Sequence, residues 1–208
     1  MKFDKSQRVG KGWQYTVYDL GNGRVYKKFN TKLEAYRIML KDRWYVFWRL
    51  PGYFKEMKKN VKKSFQFLEG NKMDSKLLGN FKRRKGLDYE QDKVIPLQDY
   101  CKTFSGDSKK KCKVVVDKFI KLVDTFYSDY GFIDKAMKFG KNFGIDNNGQ
   151  VILIDIGEIW FELKSIKKRV EKRTWSNADN MEGVPKYLRE YYIQGLDKIF
   201  LADFKLRD

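Results

Sequence analysis

Two polar residues frame a predicted hairpin in the second half of the chain. Asn142 stands directly before the apolar segment Phe143–Ile145, and Asp155 directly follows the apolar run 151–154. Between these segments, Asn148-Gly149 predicts a type I′ turn, because both residues tolerate the positive φ angles that such a turn needs. The hairpin would therefore hold a carboxamide and a carboxylate in fixed positions at its ends.

Histidine is absent from all 208 residues, and this excludes several kinds of site. A Ser-His or Cys-His nucleophile, a histidine-ligated zinc ion and imidazole acid–base chemistry all need that ring. The two cysteines, Cys101 and Cys112, form no C-x-x-C pair and are too few for a disulfide framework. We therefore expect reduced thiols in a cytoplasmic protein.

The charge of the chain is strongly positive, at +18, and is unevenly distributed. Residues 55–85 contain 11 basic and 3 acidic side chains, and residues 164–173 contain 6 basic and 1 acidic. Such a surplus favours an anionic partner, either a nucleic acid, an acidic protein or a bound nucleotide. A lysine-rich surface that serves only solvation is the alternative, since charge alone does not identify a partner.

No segment predicts a membrane protein. The N-terminus is polar and charged, and no apolar run approaches the roughly 20 residues that a membrane-spanning helix needs. We therefore expect a soluble protein without a membrane partner. The sequence leaves its oligomeric state open.

Glycine, lysine and acidic residues follow one another in the N-terminal part. Gly10-x-Gly12 precedes Val17, with Tyr15 where a third glycine would complete a G-x-G-x-x-G-x-V pattern. The next predicted strand, 24–29, places Lys27 on one face and Lys28 on the other, because side chains alternate along a strand. A capping-box spacing from Thr31 to Glu34 then predicts the start of a helix.

The remaining pattern predicts mainly helices. A helix from residue 31 would end at Pro51-Gly52, and a basic amphipathic helix would follow over 53–68. Further helices are predicted over 114–130 and 164–173, with a polar loop over 105–113 and a strand over 86–90. A linker at 91–93 and a short helix by residue 100 would separate two parts of the chain.

These parts, taken in order, resemble those of the protein-kinase-like superfamily, and more narrowly those of YrbL-type bacterial proteins. The most specific part is the stretch from Asn142 to Gly157, which matches N-x-x-x-D-x-x-G and ends in the triplet and glutamate Asp155-Ile-Gly-Glu158. The resemblance implies an α+β, two-lobed fold. Residues 1–92 would form a lobe with a small antiparallel sheet, helix C and an inserted basic helix, and residues 93–208 a reduced, mainly helical lobe.

The resemblance also implies ATP and Mg²⁺ as ligands. The nucleotide-binding residues would be Gly10, Gly12, Val17, Lys27 and Glu34, and the metal ligands Asn142 and Asp155. Lys28 replaces Lys27 if the strand register is off by one. Glu34 either pairs with that lysine or serves only in its capping box.

The chain departs from the kinase pattern in the catalytic loop. The position of the catalytic aspartate, five residues before Asn142, holds Met137, and Lys135 stands where the histidine would be. A thioether cannot accept the proton of a hydroxyl group. Asp134 is the nearest carboxylate, three residues too early. It would be the catalytic base only in a longer loop, and otherwise a surface or turn residue that ends a short strand.

Three functions are therefore considered. The first is a nucleotide-binding pseudokinase or weakly active kinase that presents a basic surface to a partner. The second is an active ATP-dependent phosphotransferase or nucleotidyl transferase, because phosphoryl transfer depends mostly on positioning and electrostatics. The third is a module that binds nucleic acid or an acidic protein and uses the kinase-like fold only as a scaffold.

Overall fold

The fold is α+β, the class that the resemblance implies. The computed structural model describes residues 3–103, 109–135 and 137–204. The chain divides into two compact units, Met1–Lys93 and Val94–Asp208. No helix in the described part of the chain is long and apolar enough to cross a bilayer.

The first unit is built on a five-stranded antiparallel sheet with the order β1-β2-β3-β5-β4. Its strands are β1 (Arg8–Lys11), β2 (Tyr15–Asp19), β3 (Arg24–Phe29), β4 (Lys82–Arg83) and β5 (Tyr89–Asp92). The linker predicted at 91–93 is wrong for Gln91 and Asp92, which belong to β5. Gln91 is fully buried, and its side-chain amide donates to the carbonyl of Leu78 at 2.7 Å.

Two helices accompany this sheet, α1 (Lys32–Arg43) and α2 (Leu50–Gly70), joined by a short 3₁₀ segment, Trp44–Arg49. The predicted stop at Pro51-Gly52 is wrong, because Pro51 lies in the first turn of α2. A proline is tolerated there, since the backbone N–H that it lacks would have no partner within the helix.

Helix α2 is amphipathic, as the sequence predicts. Its inner side chains, Met57, Val61, Phe65 and Leu68, are buried. The lysines predicted for its outer face are all exposed: Lys55, Lys58, Lys59, Lys62 and Lys63. Phe65 packs edge-on against Tyr89 of β5, with ring centroids 5.7 Å apart, so the apolar stripe attaches the helix to the sheet.

The second unit is mainly helical, with two small antiparallel sheets of order β6-β8-β9 and β7-β10. Its strands are β6 (Ile95–Pro96), β7 (Ile133–Asp134), β8 (Phe143–Ile145), β9 (Val151–Leu153) and β10 (Ile159–Trp160). Its helices are α3 (Leu97–Lys102), α4 (Lys109–Ser128), α5 (Phe139–Asn142), α6 (Leu163–Glu171) and α7 (Arg189–Phe204).

The loop predicted over 105–113 is wrong for its second half. Residues 109–113 form the first turn of α4, while residues 105–108 lie outside the described part of the chain. Lysine is a good helix former, so a lysine-rich segment can open a helix as readily as it forms a loop.

The predicted hairpin is confirmed as β8 and β9, with Ile145 opposite Val151. Its turn differs from the predicted type I′. Of the Asn148-Gly149 pair, only Gly149 has a positive φ, of 71°, whereas a type I′ turn needs two such residues. The carboxylate of Asp146 instead stabilises the turn, because it accepts the N–H groups of Asn148 at 2.9 Å and Gln150 at 2.7 Å.

An aromatic cluster holds the hairpin and α5 in place. The ring of Phe119 in α4 lies 5.1 Å from that of Phe139, 4.7 Å from that of Phe143 and 5.5 Å from that of Tyr192. All four side chains are at most 1 % exposed. Since Phe139 and Phe143 bracket Asn142 closely in sequence, this packing fixes the backbone on both sides of that residue.

Candidate functional site

The side chains of Asp134 and Asn142 contact each other in the interior of the second unit. The Nδ2 atom of Asn142 lies 3.1 and 2.9 Å from the two carboxylate oxygens of Asp134 and donates to them. Asp134 is the last residue of β7 and only 4 % exposed. The prediction that it ends a short strand is confirmed, and the prediction that it lies at the surface is wrong.

A reversal of the chain between these residues produces the contact. Met137 has a φ of 45°, in the left-handed region that side chains other than glycine seldom adopt. The chain then enters α5, where the N–H of Asn142 donates to the carbonyl of Lys138 at 2.9 Å. The loop thus folds back, and Asn142 reaches Asp134 although eight positions separate them.

Gly140 allows α5 to pack closely against its surroundings. A Cβ atom at this position would lie 2.4 Å from the carbonyl oxygen of Glu182 and 2.7 Å from the Cβ of Gln98. The N–H of Phe139 also donates to the carbonyl of Asn180 at 3.1 Å. These contacts with distant parts of the unit hold the loop in its folded-back form.

The backbone of Asn142 connects this pair to Asp155. Its carbonyl accepts the N–H groups of Ile154 at 2.8 Å and of Asp155 at 3.2 Å. One carboxylate oxygen of Asp155 accepts the N–H of Gly157 at 3.4 Å. Asn142 is therefore bonded to Asp134 through its side chain and to Asp155 through its main chain.

The carboxyl group of Asp134 has a strongly perturbed acidity. Burial raises its pKa to about 7, and the charges of Asp155 and Glu158 act in the same direction. The hydrogen bonds from Asn142 and from the N–H of Met137 oppose that rise. Asp134 thus changes protonation near neutral pH, which is typical of residues that transfer protons.

An ion pair lies next to Asp134. The ammonium group of Lys135 is 3.0 Å from a carboxylate oxygen of Glu158, and the N–H of Lys135 donates to the Glu158 carbonyl at 3.0 Å. The adjoining pair, Asp134 and Ile159, is in register between β7 and β10. Glu158, the last residue of the Asp155–Glu158 stretch, is thus bound to Lys135, which directly follows Asp134.

The donor set suits Mg²⁺ only when a ligand supplies further oxygens. Within the residues that the structure describes, no three acidic, cysteine or histidine side chains are grouped to hold a metal. Because Asn142 directs its NH₂ group at Asp134, its amide oxygen faces away from that carboxylate. Mg²⁺ is commonly bound by one or two carboxylates together with phosphate oxygens and water, and an Asp155 carboxylate and an Asn142 amide oxygen are chemically compatible with such a set.

In the first unit, the sheet register brings three of the predicted nucleotide-binding residues into one cross-strand row. Gly10 pairs with Val17, Val17 with Lys27, and Lys27 with Tyr89. Residues directly opposite each other in a sheet share a face. The ammonium group of Lys27 lies 5.3 Å from the ring centre of Tyr89, whereas Lys28 pairs with Thr16. Lys27 is therefore on the same face as Val17.

Asn30 is a positioning residue that the sequence did not reveal. Its side-chain amide donates to the carbonyls of Gly12 at 2.7 Å and Trp13 at 3.1 Å, and its oxygen accepts the hydroxyl of Thr16 at 2.7 Å. The N–H of Gly12 donates to the carbonyl of Tyr15 at 2.8 Å. The glycine turn is thus closed on itself, and the N–H of Gly12 is not presented to a phosphate in this conformation.

Glu34 serves in its capping box, as one of the two sequence interpretations predicts. Its carboxylate accepts the N–H and the hydroxyl of Thr31, both at 2.8 Å. Burial raises the pKa of Glu34, but these hydrogen bonds and the charges of Lys28 and Lys11 outweigh burial and lower it. The electrostatic partners of this carboxylate are thus Lys28 and Lys11.

Comparisons with known proteins assign no family. No protein-family model and no curated protein matches the sequence. Among solved structures, the chain is similar to the Mycobacterium tuberculosis protein Rv3197 in its complex with erythromycin, at 14% identity and a TM-score of 0.49. The match covers 92% of this chain but 60% of the other, so the chain spans about 60% of the length of that structure. So distant a similarity assigns no function.

Proposed function

We propose that the chain is an ATP-dependent phosphotransferase with a kinase-like, two-lobed fold. Gly10, Val17 and Lys27 of the first unit bind the nucleotide. Asn142 and Asp155 of the second unit bind Mg²⁺, and Asp134 accepts the proton of the phosphoryl acceptor. The boundary between the two units lies between Lys93 and Val94. The proposed nucleotide-binding residues therefore belong to the first unit, and the proposed metal ligands and base belong to the second.

One observation carries this proposal, the pair of hydrogen bonds from the Asn142 amide to the Asp134 carboxylate. Met137 occupies the usual position of the base in the sequence, and this argued for a pseudokinase. The folded-back loop supplies a carboxylate from Asp134 instead, directly beside the candidate metal ligand Asn142. Asp134 therefore contacts Asn142 although it precedes the asparagine by eight positions instead of five.

The reaction needs few groups from the protein. The acceptor hydroxyl oxygen would form a bond to the γ-phosphorus of ATP, and the bond from that phosphorus to the β,γ-bridging oxygen would break, so that ADP leaves. The acceptor proton passes to Asp134 and then to solvent. When bound, Mg²⁺ neutralises the phosphate charge. A base whose pKa of about 7 is near the working pH suits this role.

A pseudokinase is the second candidate, and the burial of Asp134 favours it. Only 4 % of this residue is exposed, and its carboxylate already receives hydrogen bonds from Asn142 and from the N–H of Met137. A carboxylate so enclosed could serve only to orient Asn142. In that case the chain would bind nucleotide and metal without transferring the phosphoryl group.

The exposed lysine face of α2, Lys55, Lys58, Lys59, Lys62 and Lys63, supports an additional contact with an anionic macromolecule. All five side chains are exposed, and the apolar stripe of the same helix is engaged in the core. Their positive charge would attract a partner such as a nucleic acid or an acidic protein. This surface is compatible with either catalytic or pseudokinase behaviour.

The two candidates separate in a turnover assay with ATP labelled at the γ-phosphate. Phosphate release and self-labelling are measured for the wild type, Asp155→Ala, Asp134→Asn and the exposed-aspartate control Asp129→Asn. A phosphotransferase loses turnover in the first two variants and keeps it in the control. Background turnover in the wild type, with ATP still bound, establishes the pseudokinase instead.

A further inference from the structure

Arg169 occupies an unusual position in helix α6. Its guanidinium carbon lies 4.3 Å from the ring centre of Trp160, and its side chain is half-buried. Ile166 and Val170 form the buried side of the same helix, while Lys164 and Lys168 are exposed. Arg169 therefore lies at the edge between the buried and exposed faces, where a ligand could reach it.

The surroundings of Arg169 belong to the candidate site. Trp160 is the second residue of β10, and its neighbour Ile159 is in register with Asp134. Burial lowers the pKa of Arg169, and the carboxylates of Asp134 and Glu158 act on it in the opposite direction. The guanidinium thus lies within electrostatic range of the proposed base.

The hydrogen-bond donors of Arg169 are not engaged by protein carboxylates. Several other arginines bind an acidic residue directly, as Arg24 binds Asp92 at 2.7 Å and Arg83 binds Glu69 at 2.9 Å. For Arg169, the described part of the chain provides no carboxylate within ion-pair distance; Glu158, the nearer in sequence, is paired with Lys135. Among the described residues, no hydrogen bond to another side chain or to a carbonyl engages its guanidinium group either, so its N–H donors are available to a ligand.

The contact with the Trp160 ring restricts where these donors can point and favours binding of a planar or tetrahedral anion. An arginine held by its face on an aromatic ring keeps its N–H groups in the plane of the fork, where they match a carboxylate or phosphate in a bidentate manner. The negative charges nearby are partly compensated, because Lys135 neutralises Glu158. An anion at Arg169 would therefore meet directed donors without an unpaired glutamate beside them.

We propose that Arg169 binds an anionic group of the phosphoryl acceptor. The acceptor is then a hydroxyl compound that also carries a phosphate or a carboxylate. The assignment of this anion to an acceptor rests on the proposed phosphotransferase function, whereas the anion site itself does not. In this role Arg169 determines specificity and positions the hydroxyl group near Asp134.

The test uses glycerol 3-phosphate as the probe and glycerol as its uncharged control. Binding to the full chain without nucleotide is measured by equilibrium dialysis. The wild type is expected to bind the phosphorylated probe saturably and glycerol not at all. Arg169→Ala should weaken binding by about 10- to 100-fold, which is the size of an effect expected from losing a hydrogen-bonded charge partner.

Two further variants separate directed binding from charge and from folding. Lys168→Ala removes one positive charge from the same helix and should change the affinity less than about threefold, because exposed charges are screened. Arg169→Lys keeps the positive charge but loses the forked guanidinium group. Its affinity for the probe should therefore lie between those of the wild type and Arg169→Ala. Methylguanidine should restore binding to Arg169→Ala, which a purely structural role of the side chain would not allow.

Equal affinity in the wild type and Arg169→Ala, or no binding of the probe to the wild type, overturns the anion site. The proposed function is tested separately by ATP and Mg²⁺ binding in Asp155→Ala. If the probe binds through Arg169 while ATP does not bind the wild type, the anion site stands and the phosphotransferase function fails. If the wild type transfers the γ-phosphate of ATP in the turnover assay and the probe does not bind, the anion site fails and the phosphotransferase function stands.

Discussion

The amide of Asn142 donates to both carboxylate oxygens of Asp134, at 3.1 and 2.9 Å, across a loop of eight positions. In the kinase pattern that the sequence resembles, five positions separate the catalytic aspartate from the asparagine. The three extra positions are absorbed by the left-handed residue Met137 and by the single turn of α5. A change of spacing in the sequence therefore need not separate the two groups in space.

The first prediction concerns nucleotide binding. ATP with Mg²⁺ at about 100 times its Kd should stabilise the chain by about 2.7 kcal/mol. For a chain of this length that corresponds to a rise in the melting temperature of roughly 5–10 °C. Asp155→Ala should remove the Mg²⁺-dependent part, since one of the two metal ligands is lost. Differential scanning fluorimetry with and without EDTA measures both effects, and no shift at millimolar nucleotide contradicts the proposal.

The second prediction separates the base from the metal ligands. Asp134→Asn keeps the shape of the side chain but cannot accept a proton, so turnover should fall by about 10²- to 10⁴-fold. The affinity for ATP should change little, because Asp134 is not proposed to bind the metal. Turnover that is measurable in the wild type but equal in Asp134→Asn would show that this residue only orients Asn142.

The third prediction tests the folded-back loop. Gly140→Ala places a Cβ atom 2.4 Å from the Glu182 carbonyl oxygen, and such overpacking should cost about 1–3 kcal/mol of unfolding free energy. Gly52→Ala is the matched control, because its Cβ meets no atom within 4 Å and lies in a helix, where alanine is favoured over glycine by about 1 kcal/mol. Urea titration should thus give opposite signs for the two variants, and equal effects would argue against the close packing of α5.

The fourth prediction gives a pH dependence in the first unit. The hydrogen bond and charge of Arg84 lower the pKa of Glu90, which is 8 % exposed. A carboxyl group with a lowered pKa in the folded state stabilises the protein above its unfolded pKa of about 4.3 and loses that contribution as the pH falls. Glu90→Gln should therefore lower the melting temperature at pH 7 and progressively less below pH 4.

The control for this variant is Glu69→Gln. Glu69 pairs with Arg83 at 2.9 Å, but its side chain is 43% exposed, so the substitution should have little effect at any pH. Thermal melts from pH 3 to pH 7 compare the two variants. A difference between wild type and Glu90→Gln that stays constant over this range would show that the ion pair is not responsible.

The features that could be predicted from the sequence are those encoded by local periodicity. The buried stripe of α2, from Met57 to Leu68, follows from the spacing of apolar residues along one helix, and the β8–β9 hairpin from two apolar runs around a turn. The contact of Asp134 with Asn142 depends instead on the conformation of Met137 and on packing of Gly140 against Glu182. No local pattern encodes those distant contacts.

Dependence on distant contacts also explains why the sequence did not predict the roles of Asn30 and Pro51. Asn30 reaches the carbonyl of Gly12, 18 positions earlier, and a lone asparagine at the end of a strand gives no sign of that. Pro51 reads as a helix stop in sequence, yet the preceding 3₁₀ segment lets it occupy the first turn of α2. Asn30 and Pro51 could each occupy more than one local structure, and contacts with the rest of the fold determine which one forms.

The last prediction concerns the lysine face of α2. If this face binds a polyanion, affinity for duplex DNA used as a probe should fall steeply with salt, by about 0.9 in the log–log slope for each phosphate neutralised. The double substitution Lys58→Glu and Lys62→Glu should weaken binding and flatten that slope. The control, Lys110→Glu with Lys121→Glu, makes the same change of net charge at exposed lysines of α4. Because the protein as a whole is strongly basic, a general electrostatic attraction would respond equally to both pairs. A specific surface on α2 responds mainly to the first pair, so equal losses in fluorescence-anisotropy titrations would exclude it as the binding face.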